Sequence, residues 1–405
     1  MLYERENPHG GDVYRQPVRL DFSVNTNPLG PPPSVVRAVE ASARLLDRYP
    51  DPCCRELVRA LAAYEGVPER FILCGCGAAE LIFSYCGALR PRGALELAPT
   101  FSEYAAALEA FGCRAERYAL KEENGFALTE KFLDALEITD CEVIFLCTPN
   151  NPTGRLADPG LLAEICEICR RRGLRLFVDE CFLELSDGGR SASLADQLER
   201  FPGLFLLKAF TKTYAMAGLR LGYCLCGDGA LLEAMGRLTQ PWNVSVPAQA
   251  AGLAALEEGA YLARARTLIG RERPRLAAGL AGLGLYVCPS QANYLLLKSP
   301  VELAGPLLER GILIRACGNY QGLGPGWYRV AVRGPEENGA LLAALEDLRL
   351  PGNIIIKGGA IHGQEHHDSG YHVQRGKEPA GGGAVPDTAP GRVPRRALQE
   401  PEYGP

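Results

Sequence analysis

The segment AFTKTYAMAGLRLGY, residues 209–223, places a lysine among small and apolar residues. Phe210 and Tyr214 stand on either side of Lys212, and Arg220 follows eight positions after the lysine. Lysine side chains usually remain in water, because burying an unpaired ammonium group is costly. Lys212 is therefore expected either to extend its amine to the surface or to take part in chemistry.

Short apolar runs alternate with helical patterns over residues 45–245. Stretches such as AAELIFSYCGALR and LLAEICEICRRRG have helical character. Apolar strands that alternate with helices predict a mostly parallel central sheet covered by helices, which is an α/β fold. The predicted strands are FILCGC, GALELAP, CEVIFLC, LRLFVDE, LFLLKAF and LGYCLCG.

The pattern changes near residue 240. A long helical region is predicted for VPAQAAGLAALEEGAYLARARTLIGRERPRLAAGLAGLG, and the strands YLLLKS, ILIRAC and YRVAVR follow it. Their stronger alternation is typical of a small α+β unit. We therefore predict an N-terminal arm at 1–44 that joins the small domain, a large domain at 45–245, and a linking helix with the small C-terminal domain at 246–350.

Composition excludes several classes of protein. The net charge of −5 argues against binding to nucleic acid or to a membrane surface, and no apolar run approaches the roughly 20 residues of a membrane span. The first residues, MLYERENPHGG, contain acids and no apolar core, so we expect no signal peptide and a cytoplasmic protein. The 15 cysteines lack zinc-site spacing, which predicts reduced thiols and no metal.

Polar motifs follow four of the predicted strands. GCGAAE, residues 75–80, opens a helix, so its backbone N–H groups can hold a phosphate. NNPTGR, residues 150–155, follows the strand VIFLC, and Asp179 ends the strand LRLFVD. Thr211 and Lys212 follow the strand LFLLKAF. Open α/β sheets bind ligands at the carboxyl ends of their strands, so we expect these motifs to form one site.

This set of groups suits pyridoxal phosphate. A lysine can form a Schiff base with the cofactor aldehyde, and desolvation would lower the lysine pKa, as an amine nucleophile requires. An aspartate keeps the pyridine nitrogen protonated, so that the ring accepts electrons. An arginine and a hydroxyl can hold the phosphate.

In order and spacing, the motifs resemble those of the aspartate-aminotransferase fold family, the pyridoxal-phosphate enzymes of fold type I, over about residues 5–350. The resemblance implies that Lys212 is the Schiff-base lysine and that Asp179 pairs with the pyridine nitrogen. Phe101, in PTFSEY, would stack on the ring, and Asn151 would bind the ring hydroxyl. The residues implied for the cofactor phosphate are Gly77, Ala78, Thr211 and Arg220.

The resemblance also implies a homodimer. Tyr49, in RYPDP, would reach the phosphate bound by the neighbouring subunit, so that the active site is shared across the interface. Arg329, in YRVAVR, would bind the substrate carboxylate.

Departures from the family pattern narrow the expected activity. Where aminotransferases of this group usually have D-E-A-Y, the chain has DECF, so Phe182 lacks the hydroxyl that bonds the ring oxygen. HGGDVY (9–14), DFSVNTNPLGPP (21–32) and GNYQGLGPGWYRVAVR (318–333) are similar to threonine-phosphate decarboxylases of cobalamin biosynthesis, which are relatives of histidinol-phosphate aminotransferases. Phe182 is also what this similarity predicts.

The similarity implies decarboxylation of O-phospho-L-threonine to (R)-1-aminopropan-2-yl phosphate and CO₂. Candidate substrate anchors are Arg315 and Arg329, then His9 and Asn25, and last Arg333. The assignment of phosphate and carboxylate between the arginines stays open. Two other functions remain: a histidinol-phosphate aminotransferase, and a non-catalytic protein that keeps the fold for ligand binding or regulation.

Residues 351–405 lack hydrophobic periodicity and contain four of the five histidines. Their composition favours a disordered tail over a metal-binding segment. When residues 362–405 are back-translated and the frame is moved by one base, permitted codons resemble the start of cobyric acid synthase. A second hypothesis is therefore that the tail is out-of-frame sequence from a neighbouring gene.

Overall fold

The structure is a computed structural model that describes residues 9–348, all within one compact unit. The predictions for 351–405 lie outside the described residues. The helices are α1 Pro33–Ser42, α2 Arg55–Glu65, α3 Ala78–Leu89, α4 Glu103–Ala110, α5 Lys131–Ile138, α6 Pro159–Arg172, α7 Phe210–Thr213, α8 Gly229–Leu238, α9 Val246–Leu256, α10 Gly259–Gly282, α11 Ala304–Glu309 and α12 Pro335–Asp347. The strands are β1 Leu20–Asp21, β2 Ile72–Gly75, β3 Gly93–Ala98, β4 Arg114–Ala119, β5 Val143–Cys147, β6 Arg175–Asp179, β7 Leu204–Ala209, β8 Gly222–Cys226, β9 Tyr286–Val287, β10 Tyr294–Lys298, β11 Ile312–Leu313, β12 Arg315–Ala316 and β13 Trp327–Ala331.

The largest sheet has seven strands in the order β2-β8-β7-β6-β5-β3-β4. Neighbours from β4 to β7 pair in parallel, whereas β8 is antiparallel to both β7 and β2. The strands β2, β5, β6 and β7 therefore end at the same edge. The predicted α/β fold with a mostly parallel, helix-covered sheet is confirmed.

Both faces of this sheet are buried, which explains why its strands are apolar throughout. Along β5, Val143 and Phe145 belong to one hydrophobic cluster, and Ile144 and Leu146 belong to the other. On the first face, the rings of Phe177 and Phe205 stack with centroids 4.8 Å apart. The alternation follows from the two-residue period of a strand.

The edge strand β4 was not predicted. Its sequence, RAERYA, is charged, and its side chains are partly or fully exposed. Arg117 on β4 forms an ion pair at 2.9 Å with Glu96 on β3, and the register aligns these two residues. A search for apolar runs misses such a strand, because an edge position is half-solvated and tolerates charge.

Smaller sheets lie in the last part of the described chain. Four strands form the order β12-β13-β10-β9, and β1 pairs in parallel with β11. The predicted strand ILIRAC is therefore divided between two sheets, and the predicted long helical region is two helices, because Glu258 leaves the helical conformation at φ −92° and ψ 48°. Boundaries at residues 45, 245 and 350 stay predictions.

Candidate active site

A cavity of about 460 Å³ opens at the edge of the large sheet where β2, β5, β6 and β7 end. Most of the residues predicted for the site line this cavity. They are His9, Asn25, Ala78, Phe101, Asn151, Asp179, Thr211, Lys212, Arg220, Arg315 and Arg329. The fold thus collects motifs that are separated by up to 320 residues in the sequence.

The turn between β2 and α3 forms one wall of the cavity. Gly77 has φ +81° and directly precedes the first turn of α3, whose N–H groups have no intrahelical partners. A Cβ atom on Gly77 would lie 2.4 Å from Nη2 of Arg220, so a larger residue would displace this guanidinium group from the turn. A Cβ on Gly222 would lie 2.7 Å from the amide nitrogen of Ala78. A helix N-terminus, Arg220 and the nearby Thr211 hydroxyl together suit a phosphate group.

Lys212 lies on the one-turn helix α7, which follows β7 directly. The N–H of Asn27 donates a hydrogen bond of 3.0 Å to the carbonyl of Lys212 and fixes the N-terminal arm against this turn. Nζ lies 5.7 Å from the ring centroid of Phe182. Burial, with the nearby charges of Arg329 and Arg220, lowers the pKa of Lys212 to about 8. The amine is therefore partly unprotonated near neutral pH, as the sequence predicted from desolvation.

Asp179, at the end of β6, is buried and hydrogen-bonded on both oxygens. Oδ2 accepts a bond of 2.6 Å from the hydroxyl of Tyr104, and Oδ1 accepts a bond of 2.9 Å from the N–H of Cys181. Burial raises the pKa of Asp179, and these hydrogen bonds oppose the rise. A buried carboxylate that accepts hydrogen bonds from a neutral hydroxyl and a backbone N–H favours a cationic N–H partner. The pyridinium of pyridoxal phosphate provides such a partner.

Sequence reasoning missed Tyr104. It lies three residues after Phe101 and is fully buried, and the two rings meet edge to face with centroids 5.7 Å apart. The sequence offered no helical spacing signal for Tyr104, because Phe101 lies before α4, which begins at Glu103.

Two buried arginines form another wall. Arg315 on β12 and Arg329 on β13 are directly opposite in the antiparallel register, and their exposed fractions are 8% and 6%. Arg329 donates through Nη1 to Oδ1 of Asn151 and through Nη2 to the carbonyl of Ser23 at 2.8 Å. Its Nε is buried without a hydrogen-bond partner. Adjacent like charges of this kind create a site for anions.

The Phe182 ring also lines the cavity. It packs edge to face against Tyr294, with centroids 5.0 Å apart. The hydroxyl of Tyr294 donates to the carbonyl of Asn150 at 3.0 Å. Phe182 thus brings an apolar surface to the position where a tyrosine was expected from the family.

The N-terminal arm adds two of the predicted residues to the cavity. His9 lies 3.0 Å from a carboxylate oxygen of Glu103. Asn25 is 1% exposed, and its Oδ1 has no hydrogen-bond partner. Arg333, the last of the substrate candidates, does not line the cavity and instead donates to the carbonyl of Asp21 at 3.1 Å.

Tyr49, like Gly77 and Arg333, is a predicted residue that is not among those lining the cavity. The side chain of Tyr49 is 78% exposed, and its ring stacks on Trp242 with centroids 4.4 Å apart. Its contact with the phosphate of a neighbouring subunit stays a prediction.

The chain matches the family described as aminotransferase class I and II over residues 18–345. The chain belongs to this family. It is 41% identical to the threonine-phosphate decarboxylase of Salmonella typhimurium over 335 residues, which cover 81% of this chain and 91% of that protein. It is 36% identical to a histidinol-phosphate aminotransferase of Desulfitobacterium hafniense over 343 residues, with coverage of 82% and 91%.

A solved structure supports the same assignment of the fold. The histidinol-phosphate aminotransferase from Clostridium acetobutylicum aligns with a TM-score of 0.76 at 26% identity and covers 82% of this chain and 99% of that one. Members of this family use pyridoxal 5'-phosphate, and this is the cofactor of the chain. The Gly77 turn with Arg220 fits its phosphate, and Asp179 fits its ring nitrogen.

Proposed function

We propose that this family member is a carboxy-lyase that converts O-phospho-L-threonine to (R)-1-aminopropan-2-yl phosphate and CO₂, a step of cobalamin biosynthesis. The observation that carries the proposal is the buried pair Arg315 and Arg329 on one wall of the Lys212 cavity. The 41% identity to a threonine-phosphate decarboxylase supports it.

The arginine pair suits a substrate with two anionic groups. Two guanidinium groups on opposite residues of a strand pair repel each other, and burial strengthens the repulsion. A ligand that carries both a phosphate and a carboxylate offsets this cost with one anion for each arginine. O-phospho-L-threonine has both groups on a small skeleton, so its fixed ends orient the atoms between them.

Bound pyridoxal phosphate supplies an aldehyde for the substrate amine and a ring that accepts the electron pair left on Cα. With the cofactor bound, Arg315 and Arg329 would hold the two anionic ends of the substrate and so orient the bond from Cα to the carboxylate for cleavage. An arginine that binds the remote phosphate uses the energy of this contact to maintain the orientation at Cα. When the carbon–carbon bond breaks and CO₂ leaves, the ammonium of Lys212 donates the proton that forms the new Cα–H bond. One proton is consumed for each CO₂ released.

The remaining cavity residues hold the ring in place for this step. Asp179, oriented by Tyr104 and by the N–H of Cys181, would bind the ring nitrogen, and Asn151 would bind the ring hydroxyl. Phe182 has no hydroxyl to offer to the ring hydroxyl of the cofactor. Of residues 151 and 182, only Asn151 can therefore bind that group.

The test is CO₂ release by purified protein with pyridoxal phosphate and O-phospho-L-threonine in the absence of any 2-oxo acid. The expected result is release that disappears in Lys212→Ala. No release from the wild-type protein, with the cofactor bound, would refute the proposal.

A second candidate is amino transfer from histidinol phosphate, which the 36% identical relative favours. Histidinol phosphate carries a phosphate and no carboxylate, so in this candidate the second substrate, 2-oxoglutarate with its two carboxylates, would be the ligand that offers one anionic group to each arginine. Amino transfer from histidinol phosphate to 2-oxoglutarate, without CO₂ release from O-phospho-L-threonine, would decide for this candidate.

We also propose a cytoplasmic homodimer that shares its active sites between subunits and binds neither nucleic acid nor membrane. The exposed stack of Tyr49 and Trp242 supports a subunit contact there. Within residues 9–348, none of the helices combines the length and apolar character needed to cross a membrane. Light scattering should give twice the mass of one chain, and Tyr49→Ala should weaken cofactor binding.

A further inference from the structure

Tyr320 is a cavity residue to which the proposed function assigns no role. It lies in the segment GNYQGLG between β12 and β13 and is 6% exposed. Its N–H donates to the carbonyl of Cys317 at 3.0 Å, and its own carbonyl accepts from the N–H of Leu323 at 3.1 Å. The backbone of Tyr320 is therefore held by a turn on each side.

The ring of Tyr320 supports Arg315. The guanidinium carbon lies 5.3 Å from the ring centroid, a distance at which a cation is attracted to the aromatic face. The preceding residue, Asn319, accepts a hydrogen bond of 2.9 Å from Nη2 of Arg315. Two successive residues of one turn thus fix the orientation of this arginine.

The hydroxyl of Tyr320 has a weak acceptor for its proton. It lies 3.5 Å from Oδ1 of Asn151, at the outer limit of a hydrogen bond. That oxygen already accepts from Nη1 of Arg329. Burial raises the pKa of Tyr320, so the phenol keeps its proton at neutral pH and can act as a donor. An anion bound beside the arginines would accept this proton better than the amide oxygen does.

We propose that Tyr320 is a specificity-determining residue whose hydroxyl donates to the phosphate group of the substrate while its ring holds Arg315. The proposal rests on the proposed function for the nature of the substrate. A phosphate monoester fits better than a carboxylate, because its three terminal oxygens can accept from a guanidinium and from a phenol at once. A carboxylate has two oxygens, and a bidentate guanidinium occupies one acceptor site on each, so fewer sites remain for the phenol than on a phosphate.

The test compares Tyr320→Phe with wild-type protein, both loaded with pyridoxal phosphate. Phenylalanine keeps the ring beside Arg315 and removes only the hydroxyl. Calorimetry should show that the Kd for inorganic phosphate rises about tenfold or more, as expected for the loss of one hydrogen bond to a charged group. The KM for O-phospho-L-threonine should rise by a similar factor with a smaller change in kcat, since the lost contact is made before the reaction.

Tyr328→Phe is the matched control. Tyr328 neighbours Arg329 on β13, belongs to the hydrophobic cluster of the small sheet, and accepts a hydrogen bond from the N–H of Leu303 at 3.1 Å. Removal of the Tyr328 hydroxyl should leave the Kd for inorganic phosphate within about twofold of the wild-type value.

Two results would overturn the proposal: an unchanged phosphate Kd in Tyr320→Phe, or an equal weakening in both variants. Because phosphate binding needs no turnover, the outcome is separate from that of the proposed function. A protein that releases no CO₂ but still loses phosphate affinity in Tyr320→Phe would keep the role of Tyr320 and refute the decarboxylase.

Discussion

Two lysines four residues apart, Lys208 and Lys212, have opposite electrostatic surroundings. Lys208 on β7 is 3% exposed, and its Nζ lies 2.9 Å from Glu180 and 3.5 Å from Glu65. Burial alone would lower the pKa of Lys208, but these carboxylates and Glu184 outweigh it and raise the pKa. At Lys212, burial acts together with two arginines, and the pKa falls to about 8.

The difference teaches that burial does not by itself make a lysine reactive. Desolvation disfavours the ammonium form at both positions, and the sign of the neighbouring charges decides the outcome. Lys208 serves as a structural cation that joins β7 to Glu180, which directly follows β6, and to Glu65 on α2. At Lys212 the opposing effects of Cys181 and Asp179 are outweighed by burial and the two arginines, so this amine is suited to act as a nucleophile and an acid.

The largest expected effect comes from Lys212→Ala. The rate of CO₂ release should fall at least about a thousandfold, since the nucleophile and proton donor are lost together. The midpoint of thermal unfolding of the apo protein should stay the same or rise, because an ammonium group near two guanidinium groups is removed. Substantial turnover by the variant would contradict the role of Lys212.

Lys208→Met, in contrast, should lower the stability of the fold. It leaves the carboxylates of Glu65 and Glu180 buried without their cation, and the free energy of unfolding should fall by about 3–5 kcal/mol in a denaturant titration. Adding Glu180→Gln should recover part of the loss, because one of the unpaired charges is removed. A loss below about 1 kcal/mol would show that the carboxylates do not depend on Lys208.

Tyr104→Phe tests the support of Asp179. The variant loses a buried hydrogen bond to a carboxylate, so the free energy of unfolding of the apo protein should fall by about 1.5–3 kcal/mol. The matched change is Tyr118→Phe on the half-exposed strand β4, for which we expect a loss within about 0.5 kcal/mol. Equal losses in the two variants would argue against a special bond at Asp179.

The smallest effect is the pH dependence of the two amines. In the apo protein, competitive acetylation followed by mass spectrometry should give half-maximal reactivity of Lys212 near pH 8, while Lys208 stays protected above pH 10.5.

Between pH 8 and 10.5 the unfolded chain keeps the Lys212 proton that the folded protein has released, so this group makes stability rise with pH. Lys208 stabilises the fold fully below pH 10.5 and loses this effect as pH rises through its higher folded pKa. If both lysines become reactive over the same pH range, the proposed difference between their pKa values is wrong.

Much of the fold and of the site could be predicted from local sequence. The apolar runs predicted the strands β2, β3, β5, β6, β7 and β8, and the motifs at their ends include most of the residues that line the cavity. Strand β4 escaped because an edge strand need not be apolar. Tyr104 and Tyr320 were not predicted as site residues, because an aromatic residue near a motif is as common in a hydrophobic core as in a binding site.

By itself, the sequence determined the order of strands and helices, the family and the cofactor, because these follow from periodicity and from residues close together in the chain. Only the tertiary structure decided which side chains meet. Arg315 faces Arg329 through strand register, and Lys208 meets Glu65 across 143 positions through the order of strands and helices. The pKa values of the two lysines follow from these long-range contacts, since an electrostatic shift depends on distance in space and on burial.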